Sequence, residues 1–189
     1  MDEQQQRRLR LGFLIELVAR APVKLGRTAL MKLAYFLQTA KGVPLGYHFR
    51  LYTHGPFDCD LLSDLEQACS IGAVSSEMIT FASGYGYEFT PGPKHELLQK
   101  VAAKELAVHR EAIQWALENY AERSAADLEL LSTIVYADRE ASHARQRMTF
   151  EELGRKVKQV KPRFSDATIL RNINELARDG LLLVSSAGE

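Results

Sequence analysis

Cysteine is scarce in this sequence: only Cys59 and Cys69 occur, which excludes a disulfide-rich scaffold. The apolar pattern of residues 58–71 predicts a helix, which would contain both cysteines. A helix rises about 1.5 Å per residue, so side chains this far apart along it cannot form a bond. We therefore expect two reduced thiols.

Long hydrophobic runs are also lacking. No stretch approaches the roughly 18 apolar residues that a membrane-spanning helix needs. The N-terminal sequence MDEQQQRRLR is not followed by the apolar core of a secretory signal. A composition of 46% hydrophobic and 25% charged residues is that of a chain with a proper core. We expect a cytoplasmic protein that does not bind membranes.

The spaced motifs of catalytic and metal sites are missing as well. His54, Cys59 and Cys69 do not have the close pairing of zinc ligands. There is no Gly-x-Ser-x-Gly, no phosphate-binding glycine loop and no Gly-x-Gly-x-x-Gly. The sequence therefore predicts that the protein is not an enzyme and carries no cofactor or metal.

Charge of one sign is absent from part of the chain. Residues 53–92 hold six Asp or Glu and no Lys or Arg, whereas residues 1–52 hold nine basic against three acidic residues. The formal net charge is zero, so the distribution matters more than the total. This asymmetry predicts separate acidic and basic surfaces.

Apolar periodicity predicts a helical first half with a few strands. Leu14, Leu17 and Val18 recur at helical spacing, aromatics alternate from Tyr47 onward, and Asp58 is placed to cap a helix. The predicted elements are helices at 4–20, 27–40 and 58–71, a strand near 47–52, and a β-hairpin that turns at Ser83-Gly84. This order is that of a winged helix-turn-helix.

The second half of the sequence again predicts helices followed by a strand. Residues 94–120 predict one bent helix or two, and the boundary between the halves is placed at 122/123. Thr149 to Glu152 reads as a capping box, Ser165 as the start of a third helix, and LLLV at 181–184 as a strand. We expect a mainly α protein with small β-hairpins (α+β): a winged-helix-like domain at 1–122 and a three-helix, winged-helix-like domain at 123–189.

Several segments together resemble a known family. The sequences ALMKLAYFL, YHFRLYTHGPFDCDLLSDLEQACSIGAV, LELLSTIVYA and KPRFSDATILRNINELARDGLL resemble the YwgA-like bacterial proteins and, more distantly, the SocA/Panacea antitoxin domain. The shared features include a Tyr-x-x-Gly-Pro-Phe turn, here Tyr52 to Phe57. The resemblance implies a non-enzymatic adaptor or regulator in a toxin–antitoxin or anti-phage setting. Its protein partner would be encoded nearby.

The predicted partner surface combines the turn with the helix that follows. A helix that enters DNA should be basic, because phosphates repel carboxylates, yet the 58–71 helix carries only acidic charge. Such an acidic face would complement a basic protein partner. The simpler alternative is that the face has no partner and is exposed to solvent. The predicted partner-binding residues are Tyr52, His54, Phe57, Asp58, Asp60 and Asp64.

DNA is the alternative partner. Residues 139–163 hold eight Lys or Arg, Arg147 among them, against three acids, and the helix after Ser165 offers Arg and Asn side chains that suit base edges. In this alternative, the protein is a winged-helix transcriptional regulator that binds DNA through region 149–183. Its predicted contacts are Arg155, Lys156, Lys158, Lys161, Arg163, Thr168, Arg171 and Asn172. The sequence leaves a homo-oligomer open.

Overall fold

The computed structural model describes residues 3–81, 84–146 and 148–184, and over these ranges the chain is mainly helical with small antiparallel sheets. Ser83 and Arg147 lie outside the described residues. The helices are α1 (Glu3–Arg20), α2 (Arg27–Lys41), α3 (Cys59–Ser70), α4 (His95–Val101), α5 (Ala103–Val108), α6 (Arg110–Tyr120), α7 (Ala125–His143), α8 (Phe150–Val160) and α9 (Asp166–Arg178). The strands are β1 (Leu25–Gly26), β2 (Arg50–Tyr52), β3 (Gly55–Phe57), β4 (Val74–Phe81) and β5 (Gly84–Pro91).

The chain folds into two compact units. The first unit comprises Met1–Phe49 and Phe57–Ala125, and the second comprises Arg50–Pro56 and Ala126–Glu189. The predicted boundary at 122/123 lies close to the change of unit after Ala125. The assignment of residues 50–56 to the second unit has no counterpart in the predicted division.

The first unit contains the three predicted helices with bounds close to those expected. The apolar stripe of α2 is buried, as the periodicity requires: Leu30, Leu33 and Leu37 have no exposed surface. Helix α3 begins after Asp58, and Gly72 follows its end at φ +77. At this left-handed conformation glycine avoids the steric cost that a side chain incurs.

One three-stranded antiparallel sheet completes the first unit, in the order β1-β5-β4. The predicted hairpin is confirmed as β4 and β5, in register Met78 opposite Tyr87. Strand β1 was not predicted; its two residues pair with Phe89 and Glu88.

The strand predicted near 47–52 forms only at its end, as β2. The backbone of Tyr47 is held instead by the Gln38 amide, which accepts from Tyr47 N at 2.9 Å and donates to its carbonyl at 2.8 Å. The N–H of His48 donates to Asp58 Oδ2. These groups therefore bond to side chains and not to a neighbouring strand.

Residues 94–120 form three short helices, where one bent helix or two were expected. The chain leaves helical geometry at Ala102 and His109, whose φ values are −96° and −111°. At Ala102 it lies close to α1, because a Cβ added to Gly12 would come within 2.6 Å of the Ala102 Cβ. Only glycine leaves room for that approach.

The second unit contains α7, α8 and α9. The caps predicted from sequence are confirmed: Thr149 and Glu152 form a reciprocal capping box, and the Ser165 hydroxyl accepts from Thr168 N. The strand predicted at 181–184 is wrong. The N–H groups of Leu183 and Val184 donate to the buried Asp138 carboxylate, at 2.9–3.0 Å, and form no ladder.

Across the described residues, no helix has both the length and the apolar content that crossing a membrane requires.

Candidate functional site

Asp58, a predicted partner-binding residue, is buried at the start of α3. One of its oxygens accepts from the N–H of Asp60 at 2.7 Å, which caps the helix, and the other accepts from the N–H of His48. The prediction that Asp58 lies on an outward acidic face is therefore wrong. Its carboxylate satisfies backbone donors that would otherwise be left unpaired.

Asp64 is also buried and does not belong to an exposed face. Its Oδ2 accepts from the Tyr47 hydroxyl at 2.9 Å and lies 2.7 Å from Arg10 Nε. Burial raises the pKa of Asp64 above its ordinary value, although Tyr47 and Arg10 oppose the shift. Burial likewise raises the pKa of Tyr47. The three side chains form one polar cluster inside the first unit.

The exposed carboxylates of α3 are Asp60 and Glu66. Ligand atoms of Asp58, Cys59 and Asp60 lie within 4.8 Å of one another, but helix capping already accounts for the Asp58 carboxylate. Phe57 is half-buried. The acidic surface of this helix is thus narrower than the sequence predicted, and it still includes no Lys or Arg.

The other two predicted partner-binding residues, Tyr52 and His54, belong to the second unit. Tyr52 is 70% exposed, and His54 Nδ1 lies 3.1 Å from Glu129 Oε2. The six predicted residues are therefore divided between the two units.

Glu129 is the centre of a charged cluster in the second unit. Its buried carboxylate lies 2.8 Å from Lys161 Nζ and 2.9 Å from a guanidinium nitrogen of Arg163, and Lys161 also donates to the carbonyl of Thr53. Burial alone would raise the pKa of Glu129, but hydrogen bonds from Lys161 and His54 and the nearby cations lower it below its ordinary value. Nothing in the local sequence signals this cluster.

Several residues that were predicted to contact DNA are instead buried in the second unit or bonded to its other groups. Lys161 is 4% exposed and Asn172 is 5% exposed, so the prediction that they face outward is wrong. Asn172 Nδ2 donates to the Thr168 carbonyl at 2.8 Å, and Lys158 Nζ donates to the carbonyls of Pro162 and Phe164. These side chains are therefore bonded to backbone carbonyls within the second unit.

The other residues that were predicted to contact DNA are more exposed to solvent. Arg155 and Arg171 are exposed, Lys156 and Thr168 are half-buried, and Arg163 is 55% exposed despite its pairing with Glu129. Arg155 and Lys156 border a shallow pocket of about 430 Å³ on α8, which also includes Glu152. Among the described residues, Arg155, Lys156 and Arg171 have no ion-pair partner.

A larger groove lies in the first unit and was not predicted. It has a volume of about 590 Å³ and is lined by residues of β4 and β5, by the segment 23–29 that contains β1, and by the chain near Ala121. The Arg27 guanidinium stacks on the Tyr87 ring there, 3.9 Å from its centroid. Phe81 and Tyr85 border the groove and are 56% and 70% exposed.

Neither protein-family models nor curated protein sequences match this chain. The resemblance to the YwgA-like and SocA/Panacea families stays a prediction.

Proposed function

We propose that this protein is a non-enzymatic adaptor or regulator that acts by binding a protein partner through its first unit. The chemistry of α3 carries the proposal. The toxin–antitoxin or anti-phage setting, with a partner encoded nearby, is what the family resemblance implies.

The proposal includes a winged-helix fold for the first unit. Its elements follow the order α1, β1, α2, α3, β4, β5, and its sheet has the order β1-β5-β4. A winged helix has three helices, a β-hairpin, and a short strand between the first two helices that pairs with the hairpin. Under this assignment α3 occupies the position of the recognition helix and β4–β5 that of the wing.

The composition of α3 favours a protein partner over DNA. From Cys59 to Ser70 there is no basic residue, and Asp60 and Glu66 are exposed. DNA binding depends on neutralising phosphates, which this helix would repel. An acidic helix face instead complements a basic patch on a protein and steers its association.

The hairpin adds residue types that suit an interface. Met78, Phe81 and Tyr85 are each more than half exposed on β4 and β5. Methionine and aromatic side chains are enriched in protein interfaces relative to the rest of the surface. Together with α3 they offer both apolar and charged contacts on one unit.

The test is a native pull-down from cells that express the neighbouring genes, with the full chain as bait. We expect one neighbour-encoded protein to co-purify, and the double variant Asp60→Lys, Glu66→Lys to lose it. The double variant Glu105→Lys, Glu111→Lys makes the same charge change elsewhere on the first unit and should retain the partner. A bait that recovers no neighbour-encoded protein would count against the proposal.

A second candidate function is DNA binding through region 149–183. The observation that favours it is the exposure of Arg155 and Arg171 and the partial exposure of Lys156, on two helices, α8 and α9, that pack together in the second unit. A winged-helix-like second unit belongs to this candidate.

Fluorescence anisotropy with a labelled random DNA duplex tests this candidate across a salt series. Binding should weaken steeply as salt rises, and Arg171→Ala or the double variant Arg155→Ala, Lys156→Ala should weaken it strongly. The variant Arg8→Ala, in the first unit, is the control and should bind as the parent protein does. No binding at low salt would remove this candidate.

A further inference from the structure

Strand β5 is paired on one side along its whole length and on the other side only in part. Strand β4 pairs with it from Gly84 to Pro91, whereas β1 pairs only with Glu88 and Phe89. Among the described residues, no strand pairs with Gly84–Tyr87 on the β1 side. In an antiparallel pair, every second residue directs its N–H and C=O away from the partner. At Tyr87 this side is already covered, because a Cβ added to Gly26 would lie 3.2 Å from the Tyr87 carbonyl oxygen. The stretch Gly84–Gly86 therefore presents strand hydrogen-bonding groups without a strand to bond them.

The open stretch also lacks the usual protection of a sheet edge. Proteins commonly guard edges with lysine, proline or other charged side chains. Residues 84–87 read Gly-Tyr-Gly-Tyr and carry none of these. The open edge of β5 is therefore unguarded.

The groove of the first unit lies along this edge. Tyr85 and Tyr87 of the strand line it, together with Gly26, Arg27 and Ala121. Three residues of extended chain span about 10 Å at roughly 3.3 Å per residue. The edge is thus long enough to pair with a short strand.

The charge of the groove selects an acidic occupant. Lys24, Arg27 and Arg123 line it against Glu88 and Glu122, a formal excess of one positive charge. Lys24 is held 3.4 Å from the Glu88 carboxylate, whereas the described residues give Arg27 its Tyr87 ring contact and no carboxylate partner. The first turn of α2 beside it contains no acidic residue, so it adds to the positive potential.

We propose that the edge at Gly84–Gly86 accepts an extended segment of the partner protein as an added strand, with an acidic side chain of that segment opposite Arg27. Backbone hydrogen bonds to the edge supply affinity, and the contact with Arg27 supplies selectivity, as in other cases of β-strand addition. This inference rests on the proposed function and names the kind of partner segment that the first unit binds.

The probe is a random linear 12-residue peptide library displayed on phage and selected on the full chain. We expect enrichment of peptides that alternate β-branched residues and contain Asp or Glu. The best peptide, measured by fluorescence anisotropy, should lose at least about tenfold in affinity when alternate residues are N-methylated, because the strand donors are then removed.

A charge reversal in the chain tests the acidic contact. Arg27→Glu should weaken the selected peptide about tenfold or more, whereas Arg8→Glu, an exposed change on α1, should leave its affinity unchanged. Circular dichroism confirms that both variants are folded. Photo-cross-linking should attach the peptide to residues 23–29 or 85–88.

Each of the other outcomes overturns the inference: no enriched peptide, equal binding after N-methylation, or cross-links to the outer edge of β4. If the native pull-down recovers a partner while the peptide experiment fails, only this inference falls. If the pull-down itself recovers nothing, the proposed function falls, whatever the peptides do.

Discussion

The Lys161 ammonium lies 2.8 Å from the Glu129 carboxylate, and both residues are 4% exposed in the second unit. Lysine is rarely buried unless it is paired. Here the same ammonium also donates to the carbonyl of Thr53, so one cation connects α7 to the turn between β2 and β3. The pair therefore connects elements of the second unit, and both of its side chains are buried.

Loss of the buried ammonium should cost far more stability than loss of the exposed guanidinium beside it. Lys161→Met leaves Glu129 buried without its closest cation, so the free energy of unfolding should fall by about 3 kcal/mol. Arg163→Ala removes a half-exposed partner of the same carboxylate and should cost below about 1 kcal/mol. Urea unfolding followed by circular dichroism measures both. Equal costs would contradict the buried pairing.

The lowered pKa of Glu129 makes stability depend on pH in the acid range. Because this pKa is lower in the folded than in the unfolded chain, the contribution of Glu129 is present above its unfolded value of about 4.3. It is lost as the pH falls through the folded value. Unfolding free energies measured from about pH 6 to pH 2 should therefore fall less steeply in Glu129→Gln than in the parent protein.

Asp64 supplies the control for this pH series, since burial shifts its pKa in the opposite direction. A raised folded pKa means that stability falls as the pH rises from the unfolded value of about 3.9 through the folded one. Asp64→Asn should remove that decline, whereas Glu129→Gln should not. Identical effects of the two variants would contradict both assignments.

Replacing Gly55 by alanine should clearly destabilise the protein. It has φ +87, and an added Cβ would lie 3.1 Å from both Ser132 Oγ and Thr133 Oγ1. The left-handed conformation alone costs alanine about 1–2 kcal/mol, and the tight contacts add to this. Gly42→Ala is the matched control, because it has φ +65 and open space around the added Cβ. In thermal unfolding, the melting temperature of Gly55→Ala should be clearly lower than that of Gly42→Ala.

The cap of α3 can be separated from its surface charge by two alanine variants. Asp58→Ala removes the acceptor for the N–H groups of Asp60 and His48 and should cost about 1–2 kcal/mol of unfolding free energy. Asp60→Ala changes an exposed carboxylate and should stay within about 0.5 kcal/mol of the parent. Chemical denaturation checks both values. A larger loss for Asp60→Ala would mean that its role in the helix differs from the one assigned.

The helices and their caps could be predicted because they depend on residues close in sequence. The capping box of Thr149 and Glu152, the Ser165 cap and the Asp58 cap each involve atoms two or three residues apart. Periodicity likewise lies within a single helix, and so the bounds of α1, α2 and α3 follow from local pattern.

The buried charges could not be predicted, because their partners lie far along the chain. Asp64 meets Tyr47 across 17 residues, and Lys161 meets Thr53 across 108. Sequence pattern alone treats a charged residue on a helix as solvated, which is the usual outcome. Strand β1 escaped prediction for a related reason: its two residues become a strand only by pairing with Glu88 and Phe89.

The assignment of residues 50–56 to the second unit has a consequence for synthesis of the chain. The turn at Thr53 leaves the ribosome long before its partners: Lys161 lies 108 residues later and Glu129 lies 75 residues after His54. A nascent chain usually folds domain by domain from its N-terminus. Here the second unit cannot complete its core until almost the whole protein has been translated, and a fragment cut after residue 125 separates seven of its residues from the rest.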